Sequence, residues 1–149
     1  MKNLVIISLI LVAGIMGCKK AEMIETVTET QNDIIITPVN DTIGVGDFIG
    51  VDHSLAGTAI LFKDTSNNYI LRLENFTMTA APDADILLSK TSNYVAGNVI
   101  KVYDLNQNSN YNNTNINIDV DNSINFSEYP YVIAWCEQYS AYFGHTHLE

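Results

Sequence analysis

An all-β domain, built as an antiparallel sandwich or barrel, is what the sequence predicts once its first 32 residues are set aside. Short apolar runs recur from about residue 43 onward, separated by Gly, Pro and Asn. Several of these runs alternate with a period of two, as half-buried strands do. No amphipathic helical pattern longer than two turns follows the leader, so the crossover helices that a parallel sheet requires are missing.

The chain starts with a short basic segment, Met1-Lys2-Asn3, and then runs almost without a polar residue from Leu4 to Met16. That run is shorter than the roughly 20 residues a helix needs to cross hydrocarbon, so it reads as the apolar core of a secretory signal. It ends in Ile15-Met16-Gly17-Cys18, which resembles a lipobox, where a signal peptidase cuts ahead of a lipid-modified cysteine. Residues 1–17 are therefore expected to be a cleaved signal, with Cys18 the lipidated first residue of the mature chain. Two or more acyl chains anchor a protein stably, whereas one is marginal. The expected location is the bacterial cell envelope, outside the cytoplasm, on a membrane that we take to be the outer one. Cys18 is followed by Lys19-Lys20 rather than an acidic run, so the leaflet stays open. Residues 18–32 are polar and aperiodic, and read as the lipidated cysteine with a flexible tether. Residues 33–149 then form a single β domain, long enough to bury a core without disulfides.

Within the domain, residues 57–63 and 69–76 read as two strands joined by the turn formers Asp64 to Asn68, a predicted hairpin. Pro82-Asp83 marks a turn before a strand over 84–89, and 98–103 is a further strand. The Asn-rich stretch 106–117 reads as a solvated loop, because asparagine favours turns and left-handed geometry. Ile116, Ile118 and Val120 alternate with Asn117 and Asp119 in one short strand. Residues 131–136 are apolar on both faces, as a central strand would be, and 139–143 form the closing edge.

The 149-residue chain carries 7 basic and 17 acidic residues, a net charge of −10. No basic patch is present for a phosphate backbone, which argues against nucleic acid as a partner. Gly44-Val45-Gly46 lacks the third glycine and the following helix of a dinucleotide fingerprint. Asp119, Asp121 and Ser123 begin like a calcium loop, but Ile124 stands where the turn glycine belongs and Pro130 where the bidentate Glu belongs. No nucleophile motif surrounds Cys136, and no carboxylate pair stands out for glycoside hydrolysis. A non-enzymatic role is the expectation.

The chain has two cysteines, and with lipid on Cys18 the other, Cys136, has no intramolecular partner. An unpaired thiol is uncommon in an oxidising compartment. Cys136 reads either as a redox thiol or ligand, or as a small hydrophobe packed in a central strand beside Val132 and Ala134. His145 and His147 stand two apart, so on an extended strand both imidazoles lie on one face, within reach of one metal ion. With Cys136 and His53 they would complete an N/S site suited to copper, zinc or haem iron. The alternative is a pair of solvated histidines.

Residues from about 45 to 148 resemble the DM-thirteen domain family, described as electron-transfer domains. The resemblance rests on Gly46-Asp47-Phe48, on His53 with Gly57 four residues on, on Leu71, Leu73 and Asn75-Phe76, and on Pro82-Asp83 with Asp85 and Leu88-Ser89. It closes with Tyr131, Trp135-Cys136-Glu137 and then Phe143-Gly144 and Leu148. The Asn-rich stretch replaces the family's Gly-rich turn, and His145-Thr146-His147 stands where small apolar residues are usual. The resemblance implies a β-sandwich with one characteristic cysteine, acting as a bare thiol or as a ligand to a group such as haem. The function expected is thus a lipid-anchored envelope domain with an electron-transfer role centred on Cys136, working with a redox partner. The competing expectation is an adhesion or ligand-binding module in which Cys136 only packs.

Overall fold

The computed structural model describes residues 41–149. The predicted signal, the lipidated Cys18, the tether and the start of the domain at residue 33 lie outside the described residues.

The strands are β1 (Thr42–Asp47), β2 (Ile49–Gly50), β3 (Leu55–Lys63), β4 (Tyr69–Met78), β5 (Ala84–Ser89), β6 (Val99–Asp104), β7 (Tyr111–Val120), β8 (Tyr131–Cys136) and β9 (Ala141–His147). They form a four-stranded sheet in the order β1-β3-β4-β7 and a five-stranded sheet in the order β2-β9-β8-β5-β6. All their pairings are antiparallel. The two sheets pack face to face without closing on each other, so the sandwich is formed and the barrel is not.

The predicted hairpin is present as β3–β4. Its turn is held by the Asp64 carboxylate, which accepts hydrogen bonds from the backbone N–H groups of Ser66 and Asn68, both at 2.8 Å. Alternation then sets the core. Ala59, Leu61, Leu71, Leu73, Ile116 and Ile118 project from one sheet, and Ile86, Leu88, Val132, Ala134 and Phe143 from the other. Gly57 lies at a bulge in β3 with φ +118°, and a Cβ there would stand 2.7 Å from the Glu74 carbonyl oxygen, so no larger residue fits.

Two expectations are corrected. The Asn-rich stretch is not a loop throughout, because β7 occupies it from Tyr111 onward. The cause lies in the register between β4 and β7, which shifts between Leu73 and Phe76 and again before Met78. Each shift displaces backbone N–H groups from the ladder, and polar side chains replace the lost acceptors. Asn115 accepts from the N–H of Asn75 at 3.0 Å, Asn110 from that of Ala80 at 2.9 Å, and Thr77 from that of Asn113 at 3.1 Å. Asn75 and Asn113 take the left-handed backbone at φ 50° and 49° that the bulges demand.

The second correction concerns the closing edge. β9 runs on to His147 and lies between β2 and β8, so the edge belongs to β2. Gly144 makes this approach feasible, since a Cβ there would stand 2.1 Å from the Ile49 carbonyl oxygen. By contrast, β8 is the predicted central strand, flanked by β5 and β9 and covered on both faces.

Candidate functional site

Cys136 ends the inward row Val132, Ala134, Cys136 on β8, paired with Ala84 on one side and Ala141 on the other. The two alanines leave room beside the sulfur. The thiol is fully buried, yet it lines a pocket of about 130 Å³ with His53, Pro82, Tyr139, Ala141 and Phe143 among its walls. His53 and Tyr139 are exposed and form the rim, whereas Cys136 and Phe143 are buried at the floor. The His53 ring leans on Phe143, with centroids 4.5 Å apart and planes at 32°. Tertiary folding thus brings together two of the sequence-predicted residues, His53 and Cys136, from loop and strand positions more than eighty residues apart.

His145 and His147 lie elsewhere. His145 pairs across β8 with Ile133, and His147 with Tyr131, which places both imidazoles on the face of the sheet opposite Cys136. A single N/S centre built from Cys136 and all three histidines is therefore not formed. The reason is the two-residue period of a strand: Cys136 and the row Tyr131, Ile133, Trp135 cannot share a face. Among the described residues, no group of three or more His, Cys, Asp or Glu is placed to hold a metal ion.

This outer face has features that sequence reading missed. The connection between β5 and β6 folds over it, with Tyr94 stacked on Trp135 at a centroid distance of 4.0 Å. Tyr142 donates its hydroxyl proton to the Ser92 carbonyl of the same connection and stands 2.7 Å from His145 Nδ1. Burial pushes the Tyr142 hydroxyl up to about 12 and pulls His145 below its usual value, keeping both rings neutral near pH 7. His147 Nδ1 lies 2.9 Å from the Glu149 carboxylate. The available signal was the row of rings at alternate positions, Tyr131 and Trp135 on β8 facing Tyr142, His145 and His147 on β9.

Size bears on the cofactor. Pockets that enclose small molecules run from about 300 to 1,000 Å³. A haem does not fit over Cys136, where the pocket measures about 130 Å³. A metal ion there would find Cys136 and His53, short of the three protein ligands of an open catalytic centre. The pocket suits a bare thiol best.

The family model described as Electron transfer DM13 matches residues 47–148. The chain belongs to the DM13 family. The match takes in every strand from β2 to β9 and both halves of the pocket, His53 and Cys136. No curated protein and no solved structure matches the chain. Its DM13 domain thus carries the electron-transfer description of the family, placed on an antiparallel sandwich.

Proposed function

We propose that this DM13 domain passes electrons through the Cys136 thiol, from a lipid anchor at Cys18 that holds it on a bacterial envelope membrane. The observation that carries the reading is that the one cysteine among the described residues forms the floor of a pocket rimmed by an imidazole. The thiolate is the reactive form of cysteine, and His53 is the group in the pocket suited to take its proton. The thiolate then attacks one sulfur of a partner disulfide. A Cys136–sulfur bond forms, the partner's S–S bond breaks, and the departing sulfur leaves with the electron pair as a thiolate. A thiolate of a second, dithiol partner then attacks the Cys136 sulfur, so the first partner leaves fully reduced. The donor's other thiolate closes its own disulfide and releases Cys136 as thiolate, and two electrons have passed from the second partner to the first.

The test is alkylation and thiosulfonate labelling of the full chain in detergent, read by mass. Methyl methanethiosulfonate should modify folded Cys136, and His53→Ala should slow that reaction. Labelling by the small reagent only after unfolding would overturn the reading. It would favour the second one, an adhesion or ligand-binding module, which draws support from the full burial of Cys136 within the core cluster. The anchor is tested separately. Cys18→Ala should leave an uncleaved or mislocalised precursor, and a correctly located mature chain starting at another residue would remove the anchor from the proposal.

A further inference from the structure

We propose that His145 and His147 form a two-imidazole site for a borderline divalent transition-metal ion, copper(II) foremost, on the outer face of the five-stranded sheet. The site is independent of Cys136, which faces the opposite way.

Both residues belong to β9 and stand two positions apart, so their rings leave the same face about 7 Å from each other along the strand. Their hydrogen bonds assign the ring protons. The Tyr142 hydroxyl donates to the Ser92 carbonyl oxygen, which can only accept. A phenol has one proton, and that proton is now used. The 2.7 Å contact between Tyr142 oxygen and His145 Nδ1 therefore requires the proton to lie on Nδ1, which donates to the phenol oxygen. A neutral His145 then carries its lone pair on Nε2. His147 Nδ1 is 2.9 Å from the Glu149 carboxylate, an acceptor, so Nδ1 must donate to it and Nε2 is the nitrogen left for a metal. Among the described residues, neither Nε2 atom has a hydrogen-bond partner.

Histidines that bind metals almost always donate their second ring N–H to a carboxylate, carbonyl or similar acceptor, which sets tautomer and ring orientation. Here both rings have that support before any metal arrives. Tyr131 adds a steric brace, with its ring stacked on His147 at 4.7 Å and edge-on to His145 at 6.1 Å. The donors are imidazole nitrogens without thiolate, which suits copper(II), nickel(II) and zinc(II) and excludes calcium and magnesium, which prefer oxygen. Affinity among the three should follow the usual order, with copper(II) strongest. Water fills the remaining positions, since no third protein ligand gathers there among the described residues.

Copper(II) titration of the full chain in detergent tests this, followed by electron paramagnetic resonance of the one-to-one complex. The expected spectrum shows hyperfine splitting from two imidazole nitrogens, and it should persist in Cys136→Ala, which separates this site from the proposed redox thiol. His147→Ala, an exposed change, should lose the two-nitrogen signal. Tyr142→Phe and Glu149→Ala should each weaken binding by about 10–100-fold while circular dichroism stays native. Coupling to a single nitrogen, or equal affinity in a His145→Ala/His147→Ala double variant, would overturn the proposal.

Discussion

Tyr94 lies flat on Trp135, with ring centroids 4.0 Å apart and planes 6° from parallel. Tyr94 belongs to the connection between β5 and β6, and Trp135 to the outer face of β8, so the stack presses that connection onto the sheet. Tyr142 fastens the same connection through the Ser92 carbonyl. Asp85, Leu87, Ser89 and Ile133 point outward from their strands and are nevertheless buried.

Removing the stacked ring should loosen this cover. Tyr94→Ala is expected to lose about 0.5–1.5 kcal/mol from stacking, together with the apolar area the ring covers. Trp135 is the only tryptophan in the chain, so its emission reports the change directly. A red-shifted spectrum and a lower melting temperature are expected; an unchanged spectrum would mean the connection stays in place without Tyr94.

Asp85 is fully buried on the same face, and burial pushes its carboxyl above the usual 3.8, against the opposing pull of Lys101. Lys101 Nζ stands 3.0 Å from Asp85 Oδ1 as an ion pair, and among the described residues neither carboxylate oxygen accepts any other hydrogen bond. A raised folded pKa means that the folded state holds the proton more tightly. This stabilising contribution is full below 3.8 and is lost as pH rises through the raised value. Asp85→Asn should therefore melt higher than the parent at neutral pH, with the gap closing in acid below about pH 4. Lys101 keeps its other partner, Asp104, in that variant. A variant that melts lower at neutral pH would show that the Lys101 ion pair outweighs desolvation.

Substitution of the thiol separates packing from chemistry. Cys136→Ala should cost about 1–2 kcal/mol for the void, and Cys136→Ser about 1–3 kcal/mol for an unpaired hydroxyl. Urea denaturation measures both. Equal stability of the serine variant and the parent would mean that the hydroxyl finds a partner or water through the pocket.

The bulge acceptors can be tested one at a time. Asn115→Ala leaves the Asn75 N–H without its protein partner and should cost about 0.5–1.5 kcal/mol. Asn115→Asp keeps an acceptor oxygen and should retain most of the stability. Equal urea midpoints for all three proteins would show that water serves the Asn75 N–H as well.

The sequence by itself determined what depends on neighbours along the chain. Alternation of Ile116, Ile118 and Val120 with Asn117 and Asp119 marked a strand with one apolar row, and Asp64 to Asn68 announced the hairpin turn. The apolar faces of 131–136 marked the central strand. Tertiary structure decided what depends on pairing. Asparagine at 110, 113 and 115 looks like loop chemistry locally; it serves the sheet because Asn110 and Asn115 accept from the Ala80 and Asn75 N–H groups and Asn113 takes the left-handed backbone of a bulge. The edge passed from β9 to β2 because Gly144 admits the Ile49 carbonyl. The histidines were sorted in the same way, since strand period separates His145 and His147 from Cys136, whereas His53 reaches the thiol from a distant connection. A period of two is written in every local window of sequence; which strand lies opposite, and where its register slips, is set only when the sheets close over a common core.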